Sequence, residues 1–197
     1  MAAGLRAPGS GSTSEAESES GAGSGSGSAG PAAPQPIDLR RFRSAMARVA
    51  GPVAVVTTLD ERGVPYGFTA SSVCSLSLDP PLVGVGLSLT SSCHAAFRAA
   101  AGFAVSVLGA GQSRLADRFA TSGIDRFAGH PLPRWPDTGE PYLPDAVTLL
   151  RCAMADRIAV GDHLLLVGTV LDARIGEGEP LLRYDRTYCS AAAAVEC

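Results

Sequence analysis

Gly67-Phe-Thr-Ala-Ser-Ser-Val-Cys-Ser-Leu-Ser-Leu-Asp-Pro-Pro-Leu82 is the stretch on which the fold of this chain turns. Phe68, Ala70, Ser72, Cys74, Leu76 and Leu78 share one parity, and Thr69, Ser71, Val73, Ser75 and Ser77 share the other. That alternation is the period of a β-strand, with one mostly apolar face and one mostly hydroxyl face. Asp79-Pro80-Pro81 then removes two successive backbone donors and sets a fixed turn before a second strand begins at Leu82. Hydroxyls this dense, held on a rigid corner, point to a bound anion or sugar. Ser and Thr also line the wet faces of ordinary antiparallel sheets, and spacing alone does not separate the two.

Working outward, residues 53–59 (VAVVTTL) are β-branched and form a strand, and the turn Asp60-Glu61-Arg62-Gly63 pairs it with the hydroxyl strand as a hairpin. Upstream, Leu39, Phe42, Ala45, Met46 and Val49 have helical spacing over residues 37–49, with Asp38 near the start and Gly51-Pro52 ending the helix. Downstream, a strand over 82–89 leads to Thr90-Ser91-Ser92, a cap for a short helix that Gly102 closes. A strand at 103–108 and a second short helix at 112–119 follow. Residues 121–144 are rich in Gly, Pro and Asp and form a lid or a loop wrapped on the core. Strand candidates then cover 146–155, 157–160 and 163–173, with a last extended segment at 181–188. Short strands joined by hairpins make the chain mainly β and argue for an antiparallel barrel with short helices rather than βαβ units.

With 197 residues, 46% hydrophobic and 18% charged, the chain can bury one good core. Residues 1–36 are mostly Gly, Ser, Ala, Pro and Glu, too poor in large apolar groups to offset their ordering entropy, so a disordered tail is expected there. The folded domain is expected over 37–190, with a short tail at 191–197. No continuous apolar run resembles a secretory signal or a membrane span. Five widely spaced cysteines without a CxxC pair argue against a disulfide framework and a zinc site, and for a reduced, cytoplasmic protein. The net charge of −3 with dispersed Arg gives no basis for nucleic-acid binding.

Several familiar chemistries are excluded. Gly109-Ala-Gly111-Gln-Ser-Arg114 follows a strand and opens a helix like a dinucleotide fingerprint, but Arg114 stands where GxGxxG needs a small residue. There is no GxSxG elbow, no GxxxxGK[ST] loop and no HExxH helix. Of the three histidines, His94 sits at a helix start and His130 in the long loop. His163 closes the turn Gly161-Asp162-His163 at the mouth of a strand, a position suited both to a ligand contact and to a plain surface turn.

Together, Thr69-Ala-Ser-Ser72, Ser75-Leu-Ser-Leu-Asp-Pro-Pro-Leu82, Phe103-Ala-Val-Ser-Val-Leu108 and Gly161-Asp-His163, followed by Gly168-Thr-Val170, resemble the flavin reductase family. The resemblance runs from Phe42 to Tyr188 and is greatest to the reductase components of two-component flavin-dependent monooxygenases. It implies a six-stranded antiparallel Greek-key split barrel, assembled as a homodimer with flavin near the subunit interface. It implies FAD or FMN as the flavin, NADH or NADPH as hydride donor, and a flavin-dependent monooxygenase as the partner that receives reduced flavin. By position, Thr69, Ala70, Ser71 and Ser72 would line the flavin, Ser88, Ser91 and Ser92 would approach its ribityl-phosphate end at a helix N-terminus, and His163 would lie beside the nicotinamide or its pyrophosphate. No catalytic acid or base and no metal ligand is implied, because hydride transfer is carried by the cofactors. The resemblance leaves open whether flavin stays bound or leaves after reduction. A flavoenzyme of another reaction with tightly held flavin and a non-enzymatic flavin- or haem-binding module are the alternatives.

Overall fold

The computed structural model describes residues 35–129 and 131–191, so the expected N-terminal tail up to residue 34, His130 and the last six residues lie outside the description. After helix α1 (Leu39–Met46), the strands β1 (Gly51–Pro52), β2 (Ala54–Leu59), β3 (Pro65–Ala70), β4 (Cys74–Leu78) and β5 (Pro81–Ser88) lead to α2 (His94–Ala99). β6 (Gly102–Val107), a 3-10 turn, α3 (Ser113–Ala120), β7 (Thr148–Val160), β8 (His163–Ile175), β9 (Leu181–Tyr184) and β10 (Thr187–Ser190) complete the order. Seven strands form one antiparallel sheet in the order β3-β2-β6-β7-β8-β5-β4, and β1, β9 and β10 form a small second one.

The sheet order contains the fold's main constraint. β3 and β4 occupy opposite edges of the seven-stranded sheet, yet only residues 71–73 join them. Six strand spacings of about 4.8 Å would hold the edges of a flat sheet roughly 29 Å apart, whereas four Cα steps reach at most about 14 Å. The sheet therefore curls until its edges meet, and the gap between β3 and β5 is the split of a barrel. β5 returns through α2 to β6 yet pairs with β8, which makes a Greek key of β5 to β8.

Two apolar layers hold this shape. Val56, Phe68, Val85, Leu87, Phe103, Val105 and Leu166 fill the barrel, with Phe97 of α2 edge-on to Phe68 at 5.1 Å between centroids. Val53 and Val55 pack on the other side against Ala116 and Phe119 of α3, Leu143 and Leu181. Burial on both faces explains the unbroken apolar start of the second strand. In the long connection, Trp135 is 2% exposed and packs on Ala104, Ala146 and Leu149, with the Arg174 guanidinium 4.1 Å above its ring. This part of the segment is thus a wrap on the core.

The structure departs from the sequence expectations at definite points. The hydroxyl run is two strands, because residues 71–73 leave the ladder, and the main sheet has seven strands where a six-stranded barrel was expected. The expected strands 146–155 and 157–160 are one strand, β7, with register shifts at Arg151/Cys152 and Met154/Asp156 that break its period. Gly51-Pro52 pairs with β9, and Gly102 opens β6, so neither serves as a helix stop. The last extended segment is a hairpin turning through Asp185 and Arg186, both at positive φ, which their residue types do not announce. Among the described residues no helix is long and apolar enough to cross a membrane.

One glycine is set by close approach: a Cβ on Gly168 would lie 2.5 Å from the Phe103 ring and 2.8 Å from the Cys152 Cβ, both buried. Replacing Gly168 by Ala is expected to destabilise the fold by roughly 1–3 kcal/mol, since neither neighbour has room to move. Denaturant unfolding of the variant beside the parent checks this, and an unchanged midpoint refutes it.

Candidate functional site

At the split, the edge residues Thr69, Ala70, Ser71 and Ser72 face Gly86, Leu87, Ser88, Thr90 and Ser91 across a cavity of about 460 Å³. Phe119, Ala120, Ser122 and Arg126 wall it from α3 and the loop after it, and His163 stands at the β8 end. The structure therefore gathers Thr69, Ala70, Ser71, Ser72, Ser88, Ser91 and His163 around one space. Ser92 does not join them: it lines the two neighbouring clefts beside Tyr66. A second cavity of about 560 Å³ lies behind Ser71 and Ser72, lined by Met46, Val49, Val73, Arg183 and Arg186 among others. It is larger but carries fewer polar groups, and its α1 wall has no buried residue.

Ser72 ties the split together, its Oγ accepting a hydrogen bond from the Gly86 N–H at 3.0 Å. Thr69 lines the cavity while its hydroxyl donates to the Ala116 carbonyl at 2.5 Å and anchors α3 to β3. The Ser88 and Thr90 hydroxyls are hydrogen-bonded at 3.0 Å. The expected helix cap is corrected too. α2 begins only at His94, its N-cap is Cys93 without a side-chain cap bond, and the Ser91 Oγ accepts from the Cys93 N–H at 3.2 Å in a local turn. Residues 90–93 are taken up by turns from Ser88 and Ser91, so Ser91 and Ser92 do not present a helix N-terminus to the cavity.

His163 is positioned by strand pairing. It opposes Ser88 in the β5–β8 ladder, and the Leu89 N–H bonds the Asp162 carbonyl at 3.0 Å. Gly161 turns the chain at φ +57°, which suits the missing side chain. His163 Nδ1 is 2.7 Å from Asp162 Oδ1. That hydrogen bond, reinforced by the charge of the imidazole, holds the Asp162 carboxyl below the usual carboxylate range. The arrangement orients the ring and leaves the side chain half exposed at the cavity mouth.

Arg126, Ser122, Phe119 and Ala120 escaped the sequence reading, since nothing in their spacing sets them apart. Arg126 is held from the backbone: its Nε donates to Thr121 O at 2.9 Å and its Nη1 to Gly67 O at 2.8 Å, with Cys93 Sγ 2.9 Å from the same nitrogen. Among the described residues, no Asp or Glu lines the cavity. Among the described residues, no group of three or more His, Cys, Asp and Glu side chains is placed to hold a metal ion. The cavity thus offers hydroxyls, backbone amides, aromatic surface and one cation, a lining for holding and aligning a ligand. Its volume falls in the range of small-molecule and cofactor sites. A planar, hydrogen-bonding ring system with an anionic tail, as in FMN or FAD, fits this set of groups.

Comparison with known proteins agrees with that fit. Residues 46–192 match the family model described as flavin reductase like domain. The chain is 53% identical over 160 residues to the NADH:riboflavin 5'-phosphate oxidoreductase of Streptomyces pristinaespiralis, covering 80% of this chain and 90% of that one. It is 39% identical to the reductase component of the 4-nitrophenol 4-monooxygenase/4-nitrocatechol 2-monooxygenase of Rhodococcus opacus, over 76% of this chain and 80% of that one. The solved NADH:FAD oxidoreductase SgcE6 of Streptomyces globisporus C-1027, in complex with NAD and FAD fragments, superposes with a TM-score of 0.75 at 30% identity, covering 83% of this chain and all of that one. With its split barrel, its hydroxyl-lined cleft and these relatives, the chain belongs to the flavin reductase like domain family.

Proposed function

We infer that the protein is an NAD(P)H:flavin oxidoreductase that reduces FMN or FAD and supplies reduced flavin to a partner monooxygenase. The observation that carries this is the cavity at the split, where the Ser71–Ser72 corner and Ser88 meet His163 and, among the described residues, no carboxylate intrudes. Bound side by side, flavin and nicotinamide supply the hydride chemistry themselves. The chain's own part is alignment, and holding two reactants in contact is worth several orders of magnitude in rate. Ser71, Ser72 and the backbone amides of the corner would hold the flavin, and Ser88 and Ser91 would lie towards its ribityl chain. His163, oriented by its hydrogen bond with Asp162, would contact the dinucleotide at the cavity mouth. Four free cysteines among the described residues fit a cytoplasmic, reducing setting.

The same reading includes a homodimer. α1 buries none of its residues, although Leu39, Phe42 and Met46 are apolar, and Leu76 and Leu78 of β4 are 46% and 91% exposed. Met46 at the end of α1 and Cys74 at the start of β4 both line the second cavity with Ser71 and Ser72, so the exposed apolar groups belong to elements that border one cavity, which supports a second copy covering this side of the barrel. Light scattering on the eluted protein is expected to give twice the 20.0 kDa chain mass, and a monomer refutes the assembly. Leu78→Asp should shift it towards monomer, because burying one Leu side chain contributes about 1.5–3 kcal/mol.

Mixing pure protein with FMN or FAD and NADH or NADPH should consume the nicotinamide absorbance faster than a protein-free blank. No difference from the blank sinks the proposal. For His163→Ala, KM for the dinucleotide is expected to rise about 3- to 10-fold, the worth of a lost hydrogen bond, with flavin affinity little changed. Equal weakening of both would mean that His163 only supports the barrel.

A further inference from the structure

α3 walls the cavity with Phe119 and Ala120, yet it belongs to neither sheet and has to be tied to both. From the seven-stranded sheet, the Thr69 hydroxyl of β3 donates to the Ala116 carbonyl at 2.5 Å, across 47 positions of sequence. From the three-stranded sheet, the Tyr188 hydroxyl of β10 donates to Asp117 Oδ1 at 2.9 Å. The two ties thus hold neighbouring residues of the helix. Beside them the Phe119 ring is seated on the β3 backbone: a Cβ on Gly67 would lie 2.9 Å from it, and Phe119 is 2% exposed. A hydroxyl carries one proton. That of Thr69 is committed to α3, so none is left for the acceptor atoms of a flavin ring. Tyr188 does not line the cavity at all.

We propose that Thr69 and Tyr188 are positioning residues for the flavin that act through α3, by holding Phe119 and Ala120 where the wall packs on the ligand. This rests on the flavin reading of the cavity and extends it to a C-terminal hairpin outside the cavity. Docking of α3 and occupation of the cavity are then coupled, and such coupling is reciprocal. Loosening α3 weakens flavin binding, and bound flavin in turn tightens α3.

The test combines a fluorescence-quenching titration with FMN, without dinucleotide, and hydrogen exchange of the α3 amides, both on the full-length protein. Tyr188→Phe removes one hydroxyl outside the cavity. It is expected to raise the Kd for FMN roughly 3- to 10-fold, the worth of one hydrogen bond, and to speed exchange in α3. In steady-state assays of the same variant, KM for the dinucleotide should change little. Thr69→Val should also weaken FMN and speed α3 exchange, and Thr69→Ser, which keeps the hydroxyl, should restore both. In the parent protein, FMN should slow exchange in α3.

An unchanged Kd in either Tyr188→Phe or Thr69→Val overturns the inference. So does a Thr69→Val variant that loses FMN while α3 exchange stays the same, which would make Thr69 a direct ligand contact. Equal weakening of flavin and dinucleotide in Tyr188→Phe overturns it too, since Tyr188 would then brace the whole barrel. If the variants do not fold, the parent protein decides: FMN binding that leaves α3 exchange unaltered overturns the proposal. In all these cases the oxidoreductase reading stands. Absence of FMN binding by the parent protein refutes the flavin reading itself, and the inference with it.

Discussion

A three-residue bridge governs this molecule. Residues 71–73 must connect two strands that sit on opposite edges of a seven-stranded sheet, and a chain that short cannot cross a flat one. The sheet closes because of it, and the closure is incomplete because those residues leave the hydrogen-bonded ladder. The Ser72 hydroxyl replaces a missing ladder bond by accepting from the Gly86 N–H across the gap. Function follows from the same economy, since the place where backbone pairing fails is where amides and hydroxyls remain for a ligand.

Around that gap, each wall is positioned by packing remote from it. Thr69 holds α3 through the Ala116 carbonyl, and Phe119 of α3 is buried against the outer face of β2. α3 in turn delivers the loop with Arg126, whose contacts with Gly67 and Cys93 return to β3 and to the start of α2. His163 is set by the β5–β8 register, which opposes it to Ser88. The cavity these walls enclose is lined by hydroxyls, aromatic surface and the Arg126 guanidinium. The Cys152 thiol illustrates the contrast with the core: burial, aided by the charge of Glu140, pushes it up to about 12, where it stays protonated and inert.

Much of this architecture was legible along the chain. The hairpin through Asp60 to Gly63, the strands around 82–89 and 103–108 and the turn at Gly161 follow local rules of period and turn chemistry, and the structure forms each. The break at Ser71 was not legible, because serine is compatible with both a strand and a corner. Nor was the single long β7, since a bulge shifts the parity on which strand recognition depends. Serines before α2 look like helix caps, yet competing turns from Ser88 and Ser91 delay the helix to His94.

By itself the sequence determined the hydroxyl-rich corner, the Pro-Pro turn, the histidine turn and the failure of any dinucleotide fingerprint, all of which are local properties of residue type and spacing. Only the tertiary structure decided that Ser92 stands apart from the cavity, that the Thr69 hydroxyl belongs to α3, and that Arg126 borders the site. The physical reason is that a cavity wall is made where distant segments meet. Membership depends on how the sheet curls and where a loop is anchored, and neither leaves a period in the chain.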